Sequence, residues 1–269
     1  MKILSNYILN DIKLNKKRTI GTIVSIALST MLILLTLIMA NSLYLTLKND
    51  VIAINGSQHE TFYNISKEKA EELLSREEIS DYFITQQKGY SKIEDSKSKP
   101  YICLVEYDDK ALNNFGVNII EGRLPENSNE IIITNELNKV NPLKYMIGSS
   151  INLSLNRIFI NGKVELTQTM IFTEDFLNNN KITEEFISSG EYKIVGIIKK
   201  QETNTEQYRT AGYTAVAKLE TINEKANYSV RYKDVFNAYG ISDKIHTELN
   251  ITGMMNTELL NYEGAFKRI

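Results

Sequence analysis

The chain reads TIGTIVSIALSTMLILLTLIMANSLYLTL from Thr19 to Leu47, and no residue in this stretch is charged. A helix of about 20 apolar residues is long enough to span the hydrocarbon core of a bilayer. The stretch therefore predicts a transmembrane helix over 19–47. Charged residues recur throughout the sequence from 48 to 269, as expected of a part that folds in water.

Basic residues flank this helix on one side. Four of them directly precede it, namely Lys13, Lys16, Lys17 and Arg18. On the other side, Lys48 and Asp50 roughly cancel. Because basic residues next to a membrane helix tend to stay in the cytoplasm, residues 1–18 are predicted to be cytoplasmic and 48–269 extracytoplasmic. This describes a protein that crosses the cell membrane once.

A cleaved signal peptide is the main alternative to a retained helix. The apolar region of a signal peptide is typically about 7–15 residues long and ends at a small-x-small cleavage site. Here the apolar run is longer and continues into Leu43, Tyr44 and Leu45 without such a site. These features favour a retained membrane helix.

Small residues recur at every fourth position of this helix, at Gly21, Ser25 and Ser29. Small side chains at that spacing let a second helix approach closely, and serine can form hydrogen bonds across the contact. We predict a packing face for other membrane helices. The alternative is chance, since glycine and serine are common in membrane helices.

A second helical pattern precedes the membrane helix. Its apolar members are Leu4, Tyr7, Ile8 and Ile12. This spacing is typical of an amphipathic helix lying on a membrane surface. We therefore predict an amphipathic segment within residues 1–18, with a frayed tail as the alternative.

Composition and motifs argue against several functions. The net charge is -2, so no overall field attracts nucleic acid, and no nucleic-acid partner is predicted. No G-x-x-x-x-G-K-[ST] loop occurs, so ATP hydrolysis by that route is not expected. The two histidines, His59 and His246, lack metal-ligand spacing, and His246 is expected on the surface. We predict no catalytic residue, no cofactor and no metal.

Several residues are interpreted as structural. Cys103 is the single cysteine, so it forms no internal disulfide, and its apolar neighbours predict burial. Tyrosines in strand-like runs are expected to pack in the core, namely Tyr192, Tyr213 and Tyr228. Adjacent carboxylates are interpreted as solvated faces of helices or loops, namely Glu71-Glu72, Glu77-Glu78 and Glu184-Glu185.

The part after the membrane helix is predicted to be an α+β domain. Its predicted strands are 60–64, 79–85, 101–107 and 227–232, and its helices are 67–75, capped by Ser66, and 235–250. Near one face of the second helix lie Phe236, Tyr239, Ile245 and Leu249. Strand–helix–strand units at both ends, 48–107 and 220–260, predict a split βαβ, ferredoxin-like sheet.

The middle, 108–219, is predicted to be a β-rich subdomain inserted into that sheet. Its predicted strands are 130–134, 150–155, 163–172 and 192–198. Asn161-Gly162 and Ser189-Gly190 are interpreted as turns between them, because Asn-Gly between apolar runs is a strong hairpin signal.

One motif stands out inside this middle part, EGRLPENSNEI at 121–131. Gly122 frees the backbone for a turn and Pro125 stiffens it. Arg123 can pair with an acid or a carbonyl, and Glu130 begins the next strand. We interpret these residues as structural and not catalytic.

Three stretches resemble the FtsX-like, MacB-type family of ABC-transporter permeases. They are NDIKLNKKRT at 10–19, EGRLPENSNEI at 121–131 and YKIVGII at 192–198. They are similar to the family's entrance to its first membrane helix, its G-R-x-P motif and its x-V-V-G-I strand. Their order and spacing also agree, so the resemblance covers essentially the whole chain.

The resemblance implies a permease that works with a separate ABC ATPase subunit. It also implies further membrane helices or a second copy as partners, and a peptide, antibiotic or lipid-type substrate outside the cytoplasm. The family carries more membrane helices after its extracytoplasmic domain, whereas this sequence stops at Ile269. The sequence is therefore expected to be a permease subunit or the N-terminal portion of one.

Two alternatives remain open. The first is a single-pass extracytoplasmic sensor or binding module that acts without an ATPase. The second is an anchored enzyme with two carboxylates facing each other across a cleft. The sequence offers no support for the enzyme beyond its supply of acidic residues.

Overall fold

The computed structural model describes residues 14–96, 99–115, 117–168, 170–173, 176, 179–200, 206 and 209–266. The chain divides into two compact units, Met1–Asn49 and Asp50–Ile269, and the second is called the domain below. The predicted amphipathic helix over 4–12 lies outside the described residues.

Helix α1, Lys16–Asn55, is 40 residues long and contains the predicted membrane span. It is long and apolar enough to cross a membrane. Its hydroxyl groups bond to its own backbone: Ser29 Oγ donates to the Ser25 carbonyl at 2.8 Å, and Thr30 Oγ1 donates to the Ile26 carbonyl at 3.0 Å. These polar groups therefore need no partner in hydrocarbon.

The domain mixes short helices with long strands. Its strands are β1 Glu60–Ser66, β2 Ile79–Lys92, β3 Tyr101–Tyr107, β4 Ile119–Gly122, β5 Glu130–Thr134, β6 Ser150–Ile160, β7 Val164–Glu165, β8 Ile182–Ile198, β9 Gly212–Lys218, β10 Lys225–Tyr232 and β11 Gly253–Met255. Its helices are α2 Lys67–Leu74, α3 Asp109–Asn114, α4 Asn135–Val140, α5 Ala238–Leu249 and α6 Thr257–Phe266.

Four strands form the predicted split βαβ sheet. Their order is β11-β1-β10-β2, and each neighbouring pair is antiparallel. Counted along the chain this is the order 4-1-3-2 of a ferredoxin-like sheet, so the prediction is confirmed. Helices α2 and α5 cover the sheet by burying Leu73, Ile241 and Ile245 against it.

The sheet continues past β2 and closes into a ring. Its further order is β2-β3-β9-β5-β8-β6, and Tyr90 of β2 pairs with Asn156 of β6. One apolar cluster takes members from strands β3, β5, β6, β8 and β9 of this ring, including Leu104, Ile131 and Ile194. Long strand β2 therefore belongs to both the split βαβ sheet and the ring.

The Asn161-Gly162 turn is confirmed. Both residues have positive φ, 53° and 67°, as a type I′ turn requires. The Lys163 N–H closes the turn by donating to the Ile160 carbonyl at 3.1 Å. The turn joins β6 to β7.

Other local predictions were wrong. Ser189 and Gly190 lie inside the long strand β8, because β6 pairs with them and overrides their turn preference. Among the described residues of the predicted strand 163–172, which leave out 169, only the two residues of β7 form a strand. Ser66 precedes α2 but makes no side-chain cap.

Two aromatic residues predicted to lie near one face of helix 235–250 with Ile245 and Leu249 are exposed. Phe236 lies before α5, which begins only at Ala238, and Tyr239 lies in the first turn of that helix. Ile245 and Leu249, in contrast, are buried. The helical period was placed correctly at the C-terminal half of α5 but was extended too far towards its start.

The predictions for Cys103 and the three tyrosines are confirmed. Cys103 is fully buried in β3, and burial raises the pKa of its thiol. The tyrosines Tyr192, Tyr213 and Tyr228 are also buried. Glu184 and Glu185, in contrast, lie in strand β8 and not on a helix or loop.

Candidate functional site: the junction of the domain's two ends

The last turn of α1 is anchored in the domain. Val51 is buried there, and the Gly56 N–H donates to the Ile52 carbonyl at 2.8 Å. Gly56 has φ +84°, the left-handed conformation in which helices often end at glycine. Asn55 Nδ2 then donates to Glu258 Oε2 of α6 at 3.0 Å. The first helix to enter the domain thus contacts the last helix described in it.

Asn256 joins these two helices. Its side-chain oxygen caps α6 by accepting from the Leu259 N–H at 3.2 Å, while its Nδ2 donates to the Gly56 carbonyl, also at 3.2 Å. Its own N–H donates to the His59 carbonyl at 2.8 Å. Side-chain caps of this kind satisfy the free N–H groups of a first helical turn.

Glu263 of α6 connects to Arg231 of β10 and to His59, the residue before β1. Arg231 Nη2 donates to both of its carboxylate oxygens, at 2.9 and 3.0 Å, and Arg231 Nη1 also donates to the Ser57 carbonyl. His59 Nε2 lies 2.8 Å from Glu263 Oε2. The segments 50–60, 231–232 and 256–263 are together called the terminal junction.

The hydrogen bonds fix the tautomer of His59. Its Nδ1 accepts the Tyr232 N–H at 2.9 Å, so that nitrogen carries no proton. The proton therefore sits on Nε2, which donates to Glu263. Adding a second proton would break the bond from the Tyr232 backbone, so this arrangement requires neutral His59.

Glu60, next in sequence to His59, is a buried carboxylate with two donors. His246 Nε2 lies 2.6 Å from its Oε1, and the Tyr232 hydroxyl donates to its Oε2. Burial, followed by the charge of Glu60, raises the pKa of the Tyr232 hydroxyl. His246, predicted to lie on the surface, is instead partly buried and holds α5 to β1.

The G-R-x-P motif forms a tight turn after β4. Gly122 has φ +83°, and a Cβ at this position would lie 2.3 Å from the Val195 carbonyl oxygen of β8. The Arg123 N–H donates to that same oxygen at 3.0 Å. Only glycine lets the turn approach β8 this closely. Pro125 is buried within the turn.

Arg123 and Glu130 close this turn. Their side chains form two parallel hydrogen bonds of 2.8 and 2.6 Å, the arrangement typical of strong arginine–carboxylate pairs. The Glu126 N–H adds a bond of 2.9 Å to Glu130. The Arg123 hydrogen bond is the main cause that lowers the pKa of Glu130 to about 2. These bonds hold the turn together, and the structural role of the motif residues stays a prediction.

A third charged cluster has no counterpart in the sequence analysis. Lys99 Nζ lies 2.8 Å from Glu206 Oε1, and Glu206 is fully buried. The other oxygen of Glu206 accepts from Thr134 Oγ1 at 2.8 Å and from the Thr214 N–H at 2.9 Å. Burial lowers the pKa of Lys99. Neither residue stands in a motif, so only the fold brings them together.

The proposed helix-packing residues Gly21, Ser25 and Ser29 lie in α1, where all three are exposed. Their role in contacts with other helices stays a prediction. Within the described part of the chain, no group of three or more histidine, cysteine, aspartate or glutamate side chains is arranged to hold a metal ion.

Comparison with known proteins gives a likeness in fold. No family model and no curated protein sequence matches the chain. The extracellular domain of the noncanonic ABC-type transporter YknZ from Gram-positive bacteria aligns at TM-score 0.42 and 9% identity, over 74% of this chain and 99% of that one. The chain is similar to this transporter domain.

Two further solved structures align to a comparable degree. The periplasmic region of MacB from Actinobacillus actinomycetemcomitans aligns at TM-score 0.42 and 9% identity, over 81% of this chain and 96% of that one. A domain assigned to a permease protein of Porphyromonas gingivalis aligns at TM-score 0.40 and 12% identity, over 75% of this chain and 89% of that one.

Proposed function

We propose that the chain is a permease subunit, or the N-terminal portion of one, in an ABC transporter. A separate ATPase subunit would supply the energy, and the domain Asp50–Ile269 would lie outside the cytoplasm. There it would export, or pass force to, a peptide, antibiotic or lipid-type substrate.

The terminal junction is the observation that carries this proposal. The last turn of α1 and the start of α6 are joined by Asn55, Glu258 and Asn256. Glu263 ties α6 to β10 through Arg231 and to the residue before β1, His59. Through these bonds, a displacement of the last turn of α1 would be passed to both α6 and β10. Mechanical coupling to a membrane helix requires this property.

The sequence adds independent support. The uncharged span 19–47 and its basic N-terminal flank favour a membrane helix with the domain on the outside. The motifs at 10–19, 121–131 and 192–198 occur in the order and spacing of MacB-type permeases.

Orientation can be tested with single cysteines, because the native Cys103 is fully buried and reacts slowly. Leu143→Cys lies at a highly exposed position of the domain, and Lys17→Cys lies before the membrane span. A membrane-impermeant maleimide should label Leu143→Cys in intact cells but Lys17→Cys only in permeabilised cells. The reverse pattern would reject an extracytoplasmic domain.

Association with an ATPase is tested on the full-length gene product, purified from its own membranes. A P-loop ATPase should copurify, and ATP should change amide hydrogen exchange within α6 and β1. The variant Asn256→Ala loosens the terminal junction, so ATP should change its amide hydrogen exchange within α6 and β1 by less. If no ATPase copurifies and ATP changes nothing, the transport proposal fails. The single-pass binding module would then be the better account.

A further inference from the structure

One long strand of the domain has an unpaired edge. Residues Lys193–Ile198 of β8 pair with β5, but Ile182–Gly190 pair with β6 alone. On the other side of Ile182–Gly190, the described part of the chain contains no pairing strand. This segment is called the open edge. Exposed strand edges of this length are templates for pairing with another chain.

The hydrogen bonds show which backbone groups face outward. The Lys181 carbonyl accepts from the Asn161 N–H at 2.7 Å, on the β6 side. Because successive residues of a strand direct their backbone groups to opposite sides, Ile182, Glu184 and Phe186 direct theirs away from β6. In the described part of the chain, no backbone group pairs with the outward N–H and C=O groups of these three residues, so an added strand can bind there.

The side chains of the open edge combine an exposed aromatic ring with carboxylates. Phe186 is 63% exposed. Glu184 lies on the same face and accepts from the Tyr101 hydroxyl at 3.0 Å. Glu185, on the other face, is exposed and has no ion-pair partner in the described part of the chain. An added strand would therefore meet an apolar contact on one face and negative charge on both.

These features favour one kind of binding partner for the open edge. A second copy of this chain, pairing antiparallel through the same edge, would bring the carboxylates of Glu184 and Glu185 in the two copies together, which is unfavourable. A free linear peptide would lose much conformational entropy on this open surface. A strand already ordered within another protein loses little, and basic side chains on it would match the carboxylates.

We propose that the open edge of β8 receives an extended strand of a partner protein, with alternating basic and apolar side chains. Main-chain hydrogen bonds to Ile182, Glu184 and Phe186 supply affinity, and Glu185 and the Phe186 ring supply selectivity. This interaction is separate from the transport function and does not depend on it.

The test uses the full chain in detergent micelles and a disulfide-closed β-hairpin peptide whose outer strand alternates lysine and valine. The hairpin should bind and slow amide exchange at Ile182, Glu184 and Phe186. Exchange at Thr183 and Glu185 should stay unchanged, because their N–H groups already face β6. The same sequence as a linear peptide, or with glutamate for lysine, should bind at least about tenfold more weakly. If either of these control peptides bound as tightly as the lysine–valine hairpin, the proposal would be overturned.

A matched pair of variants separates the contribution of the Phe186 ring to hairpin binding from that of the Phe186 backbone N–H. Phe186→Ala removes the ring and should weaken hairpin binding about fivefold to tenfold. Phe186→Pro removes the ring and also the outward N–H, without breaking a bond to β6. It should weaken hairpin binding about fivefold more than Phe186→Ala does. Equal binding by the two variants would overturn the proposal.

Two controls keep the result decisive. If labelling of Cys103 shows that Phe186→Pro unfolds the domain, a hairpin N-methylated on its outer edge replaces the variant. The N-methylated hairpin should bind the unmodified chain about fivefold more weakly than the parent hairpin does, as expected for loss of the backbone bond. Undiminished binding would overturn the proposal. Exchange protection elsewhere, or self-association of the chain through β8, would also overturn it.

Discussion

Replacing Gly122 by alanine should destabilise the domain for two reasons that can be separated. The left-handed φ of +83° costs a non-glycine residue about 1–2 kcal/mol. The new Cβ would also lie 2.3 Å from the Val195 carbonyl oxygen and 2.8 Å from the Gly196 Cα, both backbone atoms that cannot rotate away. Forced overpacking of this kind costs about 1–3 kcal/mol. The total loss expected for Gly122→Ala is about 3 kcal/mol.

The chain offers a matched control in Gly148. Its φ is +89°, but a Cβ there would meet no atom within 4 Å. Gly148→Ala should therefore lose only the conformational part, about 1–2 kcal/mol. The difference between the two alanine variants measures the close approach of the turn to β8.

Labelling of the buried thiol of Cys103 provides the assay. With the full chain in detergent micelles and a urea series, the rate of thiol labelling reports opening of the domain. Gly122→Ala should label about tenfold faster than Gly148→Ala, since about 1.4 kcal/mol corresponds to a factor of ten. Equal labelling rates for the two variants would refute the steric argument.

Three further predictions concern the charged and capping residues. The pKa of Glu130 is lowered from 4.5 to about 2, so ionised Glu130 stabilises the domain above pH 4.5, and this stabilisation is lost as the pH falls towards 2. Arg123→Gln should flatten this part of a curve of stability against pH. Asn256→Ala should remove about 1 kcal/mol and speed amide exchange in α6. Asn256→Ser also loses the Nδ2 bond to Gly56 but keeps a capping oxygen, so its exchange should be slower than that of Asn256→Ala; equal exchange in both would argue against capping. Lys99→Met should cost about 3–5 kcal/mol by urea unfolding, because Glu206 stays buried without its cation. The double variant with Glu206→Gln should lose less, and an equal loss would contradict the ion-pair account.

The sheet was predictable because its signals are local. Strand β3, Tyr101–Tyr107, and strand β5, Glu130–Thr134, were predicted at their observed bounds, since apolar runs between turn residues specify strands. Long strand β8 was not predicted in full, because Ser189-Gly190 has a local turn preference. Pairing with β6 supplies the hydrogen bonds that override this preference.

The candidate site was predictable only in part. Arg123 and Glu130 were identified through a short motif, seven residues apart, and the structure pairs them. The terminal junction joins residues about 200 positions apart, such as Asn55 and Glu258. No local pattern marks Glu263, His59 or Arg231 as partners, because charged and polar residues are mostly solvated wherever they stand in a sequence.

The sequence by itself determined the membrane helix, the βαβ units and the G-R-x-P turn. Each depends on hydropathy or backbone preference within a short stretch, which nearby residues alone decide. Only the tertiary structure decided that the two ends of the domain meet, that His246 reaches the buried Glu60, and that β8 keeps an open edge. These features depend on which strands become neighbours, and this follows from packing of the whole domain.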